Sequence, residues 1–282
     1  MEISKALVIG IQAMILVAGF AGCIGGETSQ EPVTLKVSGS TTVLPIVQKS
    51  SEIYMDMKEH DYIDIQVSAG GSGVGISDIG QMKVDIGMSS RDVKSSEMAQ
   101  YPNITKTVIA KDCIAVIVNK NVGVSALTVE QIRGIYNGTF TNWNQVGGSD
   151  ATIVIYGRDS TSGTYEYFKE HVMLKKNFTT GVLEKNSNGG VKSAVQETPN
   201  SIGYVSLGYI DSTVKALKIK TGTTEVEATK ANVLAGTYPI SRDLYLLTNG
   251  APTGEAKAFI DFLLSADGQA IVEEEGFVPI NG

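Results

Sequence analysis

A single arginine followed by small hydroxylated residues, Arg158-Asp159-Ser160-Thr161-Ser162-Gly163-Thr164, carries the most concentrated donor chemistry in the 282-residue chain. It follows a β-branched run, Ile153-Val154-Ile155-Tyr156, and opens a pattern in which Tyr165, Phe168 and Val172 share one helical face. A strand that turns through small residues into a helix leaves backbone N–H groups without intrahelical partners. Those donors lie at the positive end of the helix dipole, where an anion is stabilised. Arg158 would add a planar charge able to hold two oxygens of a tetrahedral oxyanion, and Ser162 and Thr164 would add hydroxyls. The plainer alternative is that Ser162 only caps the helix and Arg158 is a solvated surface residue.

The same design recurs. Leu35-Lys36-Val37 leads into Ser38-Gly39-Ser40-Thr41-Thr42 and then a helical pattern from Val43 to about Tyr54. Ile63-Asp64-Ile65-Gln66-Val67 leads into Ser68-Ala69-Gly70-Gly71-Ser72-Gly73-Val74-Gly75 and a further short helix. Glycine lets backbone approach a ligand closely, and hydroxyls donate without charge. In an open α/β sheet such junctions gather at the carboxyl ends of the strands, where ligands bind.

These loops must be positioned by alternating strands and helices, so the spacing predicts an α/β fold with mixed, mainly parallel sheets. Lys106 to Val118 reads as paired or consecutive buried strands, and Thr128 caps a helix over 129–136. A helix is predicted over Gly189–Glu197 and strands at Ser201–Val205 and Tyr245–Leu247. Thr253 caps a helix from about Glu255 to Leu264, and a last short helix ends near Gly276.

Composition excludes several classes. The chain is 42% hydrophobic and carries a net charge of −7 with no basic run, which argues against nucleic acid as a partner. Its two histidines, His60 and His171, lie on polar stretches away from the glycine-rich loops. No serine–histidine–carboxylate set and no metal-ligand spacing emerges, and the Gly70–Gly75 loop lacks the Gly-Lys-Ser/Thr ending of a P-loop. The chain is therefore read as a binding protein rather than an enzyme, with no cofactor and no metal.

The N-terminus reads as a targeting segment. Ala6 to Ala21 is apolar apart from Gln12, short for a membrane span and suited to a signal-peptide core. Phe20-Ala21-Gly22-Cys23 resembles a lipobox, with Phe20 where leucine is usual. Lipid on Cys23 would hold the domain on the outer face of the cell membrane through a short tether; the alternative, a retained single helix, places it on the same side. The other cysteine, Cys113, is expected as a buried core thiol. Asn103, Asn137 and Asn177 open N-glycosylation patterns that matter only in a host that glycosylates exported proteins.

Taken together, the loops at 38–42 and 70–75, Val84-Asp85-Ile86-Gly87-Met88-Ser89-Ser90-Arg91, and the Arg158–Thr164 segment resemble those of the phosphate-binding proteins that feed ABC phosphate transporters. Ile132-Arg133-Gly134-Ile135-Tyr136-Asn137-Gly138, the stretch from Asn142 to Gly148, and Ile202-Gly203-Tyr204 fit in the same order. The resemblance implies a two-lobed class II periplasmic-binding-protein fold with phosphate between the lobes. It implies a first lobe over 33–118 and 241–282 and a second over 119–240, after the signal peptide over 1–22 and the tether over 23–32 read from the residues. Ser40, Thr41, Thr42, Ser72 and Ser90 would contribute from the first lobe; Arg158, Ser162, Gly163 and Thr164 from the second. Docking of the closed form on ABC permease subunits is implied, and a monomer is expected because trapping a small ion needs no second subunit.

One position departs from the pattern. In some members an acid that accepts the phosphate proton stands where Ser90 stands here. Asp85 and Asp159 are the remaining candidates, against structural alternatives in which Asp85 ends a strand and Asp159 orients Arg158. Without an acid at the ligand, the same fold would suit sulfate, molybdate or tungstate. A phosphoester hydrolase using a loop serine and a surface adhesin or sensor are the readings from other classes.

Overall fold

The computed structural model describes residues 31–280. The expected signal segment and Cys23 lie outside the described residues. The chain opens with two strand–helix units and a third strand: β1 (Val33–Gly39), α1 (Leu44–Met55), β2 (Ile63–Ala69), α2 (Ser72–Gly80) and β3 (Ile86–Ser89). After α3 (Ser95–Gln100) comes β4 (Ile104–Val118), the longest strand, followed by β5 (Ala126–Thr128) and α4 (Val129–Tyr136). The middle of the chain holds β6 (Val154–Arg158), α5 (Gly163–His171), β7 (Leu183–Lys185), α6 (Asn188–Glu197) and β8 (Ser201–Ser206). Short strands β9 (Lys215–Ala216), β10 (Lys218–Thr221) and β11 (Thr224–Val226) and helix α7 (Lys230–Leu234) lead to β12 (Ser241–Asn249). Helices α8 (Gly254–Leu264) and α9 (Ala266–Glu274) follow it.

The main sheet runs β2-β1-β3-β12-β4-β8-β6-β7. Its outer ladders, β2-β1-β3 and β8-β6-β7, are parallel, as crossover helices require. Its centre is antiparallel, because β12 and β4 run against their neighbours.

Lys106 to Val118 was expected as two strands, and it is one. β4 pairs with β12 through Cys113 and with β8 from Ile114 onward, so a single strand serves two cores. Ile109 and Ala110 pack with Val37, Ile46, Met88, Leu246 and Phe259. Cys113, Ile114 and Val116 pack with Ile132, Trp143, Phe168, Ile202 and Tyr204. Burying each such apolar side chain contributes about 1.5–3 kcal/mol, so breaking the strand at its midpoint would weaken both cores. The exchange of partners falls inside the strand, upstream of the crossing expected after Val118. Cys113 is free and fully buried, and burial pushes its thiol well above the ordinary range.

Among the described residues no helix is long and apolar enough to cross a membrane. The capping expectations meet the backbone directly: Thr128 accepts from Gln131 N at α4, while Thr253 precedes α8 without a side-chain cap bond.

Candidate functional site

The carboxyl ends of β1, β3 and β6 and the residues leading into α1, α2 and α5 meet in one buried polar cluster. Ser40, Thr41, Thr42, Ser72, Ser90, Arg158, Ser162 and Thr164 all lie there, each largely shielded from solvent. Gly39, at φ +136°, lets the chain leave β1 against Met88 O, where a Cβ would stand at 2.3 Å. Ser40 Oγ accepts from Thr42 N at 3.2 Å, which fixes the turn into α1. Ser72 opens α2; its Oγ accepts from Ser90 N at 3.0 Å and lies 3.2 Å from Ser90 Oγ.

On the other side, Ser162 caps α5 by accepting from Thr164 N and Tyr165 N. The capping alternative is therefore real for this residue, yet it consumes only the hydroxyl's lone pairs and leaves its proton to donate. Thr164 Oγ1 lies 3.2 Å from Thr42 Oγ1, and Gly73 N donates to Thr161 O at 3.1 Å. Gly163 sits where the two sides press together: a Cβ there would be 2.2 Å from Ser72 Oγ and 2.6 Å from Ser90 Oγ.

Arg158 is 1% exposed and has no carboxylate partner among the described residues. Its Nε donates to Lys185 O at 3.2 Å, and its Nη2 donates to Asn186 O at 3.1 Å and Thr41 Oγ1 at 3.2 Å. Its Nη1 is buried without a hydrogen-bond partner among the described residues. Burial draws the guanidinium below its ordinary value; Asp159 opposes that shift and Arg242 adds to it. A cation in this state gains from any anion that replaces its lost hydration.

Neither candidate aspartate reaches the cluster. Asp85 is exposed at the amino end of β3, opposite the end where Ser89 and Ser90 stand, and accepts from Lys36 N at 2.8 Å. A residue at the wrong end of a strand cannot meet loops at the other, so Asp85 does not belong with the site residues. Asp159 turns back on its own loop and accepts from Thr161 N and Oγ1. Arg91, which follows Ser90, is held in a fork by Glu97, with Nη1 and Nη2 donating at 2.8 and 2.7 Å. Burial raises the Glu97 carboxyl, but the Arg91 and Lys94 contacts outweigh it and hold the group below its ordinary value.

Three residues of the cluster were missed from sequence. Asn188, the first residue of α6, donates to Thr42 Oγ1 at 2.9 Å. Its signal was present: Leu183–Lys185 runs through Asn186-Ser187 into a helix capped by Ser187, a fourth copy of the strand–polar turn–helix design. Arg242 donates through Nη2 to Thr164 Oγ1 at 3.0 Å and Thr42 Oγ1 at 3.3 Å. Asp112 accepts from Arg242 Nε at 2.9 Å. No local motif marks either, because they meet only as facing residues of the β12–β4 ladder.

Among the described residues no cluster of histidine, cysteine or acidic side chains is arranged to hold a metal. His60 stacks on Tyr54 and His171 on Tyr167. His171 lies along an open cleft of about 600 Å³ that reaches Arg91 and Arg242.

Comparison with known proteins agrees with this geometry. The pattern of the PBP superfamily domain matches residues 26–267. The phosphate-binding protein PstS of Bacillus subtilis is 34% identical over 249 residues, covering 88% of this chain and 81% of its own. PstS of Borreliella burgdorferi is 36% identical over 257 residues, covering 87% and 90%. Among solved structures, a putative phosphate ABC transporter substrate-binding protein with bound phosphate from Clostridium perfringens is 37% identical. It superposes with a TM-score of 0.82 over 88% of this chain and 100% of its own. An ABC-type phosphate transport receptor from Vibrio cholerae is 32% identical with a TM-score of 0.72, covering 86% and 99%. The strands that deliver four polar loops to one buried cluster are thus those of a two-lobed binding protein, and the chain belongs to the PBP superfamily, in the family of the PstS phosphate-binding proteins.

Proposed function

We propose that this protein binds inorganic phosphate outside the cytoplasm and delivers it to an ABC importer. The observation that carries this is Arg158: a buried guanidinium that, among the described residues, has no carboxylate partner and one unpartnered nitrogen, set among the hydroxyls of three strand–helix junctions. Ser40, Thr41, Thr42, Ser72 and Ser90 donate from the first lobe; Arg158, Ser162, Gly163 and Thr164 donate from the second. The first lobe comprises 33–118 and 241–282 and the second 119–240, with the chain crossing after Val118 and returning near Ser241. Closure brings the helix N-termini around the ion, and no covalent step is required.

With Asp85 and Asp159 facing elsewhere, the ligand's proton is accepted by a hydroxyl. Ser72 and Ser90 are suited to this, because each hydroxyl can accept as well as donate. The chain acts as a monomer, anchored by lipid on Cys23, and mass spectrometry of the membrane-extracted protein checks the anchor.

The test is calorimetric titration of the full chain in detergent, stripped of ligand by unfolding and refolding. Phosphate should bind tightly and survive excess sulfate, molybdate or tungstate. Equal or tighter binding of one of those ions would refute phosphate as the ligand and leave the anion site standing; phosphate-ester hydrolysis would refute the receptor assignment.

A further inference from the structure

The chain has four arginines, of which Arg133 lies away from the polar cluster and donates to Val172 O. Arg158 serves the proposed site and Arg91 is consumed by Glu97. Arg242 is 6% exposed and held by Asp112, which is fully buried. Asp112 spends Oδ2 on Arg242 and Oδ1 on Ser206 Oγ at 2.7 Å and Leu207 N at 3.0 Å. That carboxylate is turned to the guanidinium and to the start of the segment after β8. It fixes the plane of the fork.

Nη2, itself 2.9 Å from Asp112 Oδ2, also faces the hydroxyls. Nη2 donates to Thr42 Oγ1 and Thr164 Oγ1, and Nη1 is buried without a hydrogen-bond partner among the described residues. Thr42 Oγ1 also accepts from Asn188 Nδ2. A hydroxyl has two acceptor positions and one proton, so with both positions filled Thr42 can only donate onward. Arg242 thereby converts a neutral hydroxyl, able to face either donor or acceptor, into a committed donor. A buried guanidinium with a free N–H is expensive unless an acceptor meets it.

We propose that Arg242, held in plane by Asp112, is a second guanidinium of the oxyanion site: it meets the ligand through Nη1 and, with Asn188, turns Thr42 into a donor to Thr164, which leaves the Thr164 proton for the ligand. This rests on phosphate being the ligand. On this corner the site accepts only unprotonated oxygens, so the ligand's proton must point to the Ser72–Ser90 side. Asp112 is a positioning residue and does not touch the ion.

The experiment uses the full chain in detergent with its arginine side chains ¹⁵N-labelled and titrated with inorganic phosphate. Four Nε–H signals are available, and Arg242→Lys assigns one of them by its loss. The signals of Arg158 and Arg242 should both move on adding phosphate while that of Arg133 stays. Calorimetry on Arg242→Lys should show binding weakened about tenfold or more, since lysine keeps the charge and loses the fork. Asp112→Asn should broaden the Arg242 signal in the free protein and weaken phosphate less than Arg242→Lys does. Movement of Arg158 with Arg242 unmoved would overturn the inference and leave phosphate as the ligand, with no variant needed. Binding by Arg242→Lys within about threefold of the parent would overturn it equally. An unmodified chain that shows neither heat nor any arginine shift removes the phosphate assignment itself, and this inference with it.

Discussion

Arg91 and Arg158 stand just past or at the carboxyl ends of β3 and β6, and both are buried, but their surroundings differ. Arg91 is matched by Glu97 in a two-point ion pair, at 7% and 22% exposure. Arg158 meets two backbone carbonyls and one threonine, and among the described residues no carboxylate contacts it. A guanidinium matched by a carboxylate has its charge balanced inside the fold, whereas an unmatched one in the same burial is a candidate anion site. Arg242 stands between the two: it is paired with a carboxylate and also donates to hydroxyls.

Removing each cation in turn tests that contrast most strongly. Arg158→Met should weaken phosphate by about a hundredfold or more, because it strips charge-assisted bonds from a desolvated anion, and calorimetry reads the loss. Arg91→Met should do the reverse, lowering thermal stability by leaving Glu97 unpaired while changing phosphate affinity less than about tenfold. If Arg91→Met proved the more damaging to binding, the contrast between the two arginines would collapse.

Closure gives the next effect. Gly163→Ala places a methyl group against Ser72 and Ser90, and overpacking of this kind costs about 1–3 kcal/mol. That corresponds to about a five- to hundredfold weaker complex, with small-angle scattering showing a more open ligand-bound form. Ser90→Ala should narrow the preference for phosphate over sulfate about tenfold in competition calorimetry, since it removes one of the two hydroxyls able to accept a proton.

Smaller effects sharpen the same picture. The Glu97 carboxyl is held below its ordinary value in the folded protein. Its pairing with Arg91 therefore adds stability that is fully present above the unfolded value and is lost as pH falls through the lowered folded one. Melting temperatures followed into acid should fall less steeply for Glu97→Gln than for the parent. Asp85→Asn and Asp159→Asn should each leave phosphate affinity within about threefold, because both face away from the cluster. A large loss in either would mean that the acceptor is a carboxylate after all.

Part of the site was legible from residue order alone. Strand, small polar turn and helix follow one another at 38–42, 70–75 and 158–164, and geometry at such a junction is local, so the sequence determines it directly. The fourth copy before α6 obeyed the same rule but drew no notice, since Lys185-Asn186-Ser187-Asn188 carries amides and a lysine where the others carry runs of serine and threonine. Asp85 misled for the opposite reason: adjacency to Ser89 and Ser90 in sequence becomes the full length of a strand in space.

What the sequence by itself determined about this protein is its helix N-termini, its alternating layers and the set of donors they carry, all consequences of short-range steric and hydrogen-bonding preference. The tertiary structure alone decided that β4 is one strand serving two cores. It alone set Arg242 opposite Asp112 across a ladder between residues 130 positions apart, and gave Arg91 a carboxylate that Arg158 lacks. Pairing register and burial are properties of the whole packed chain, and they settle which of several like charges is left without a partner.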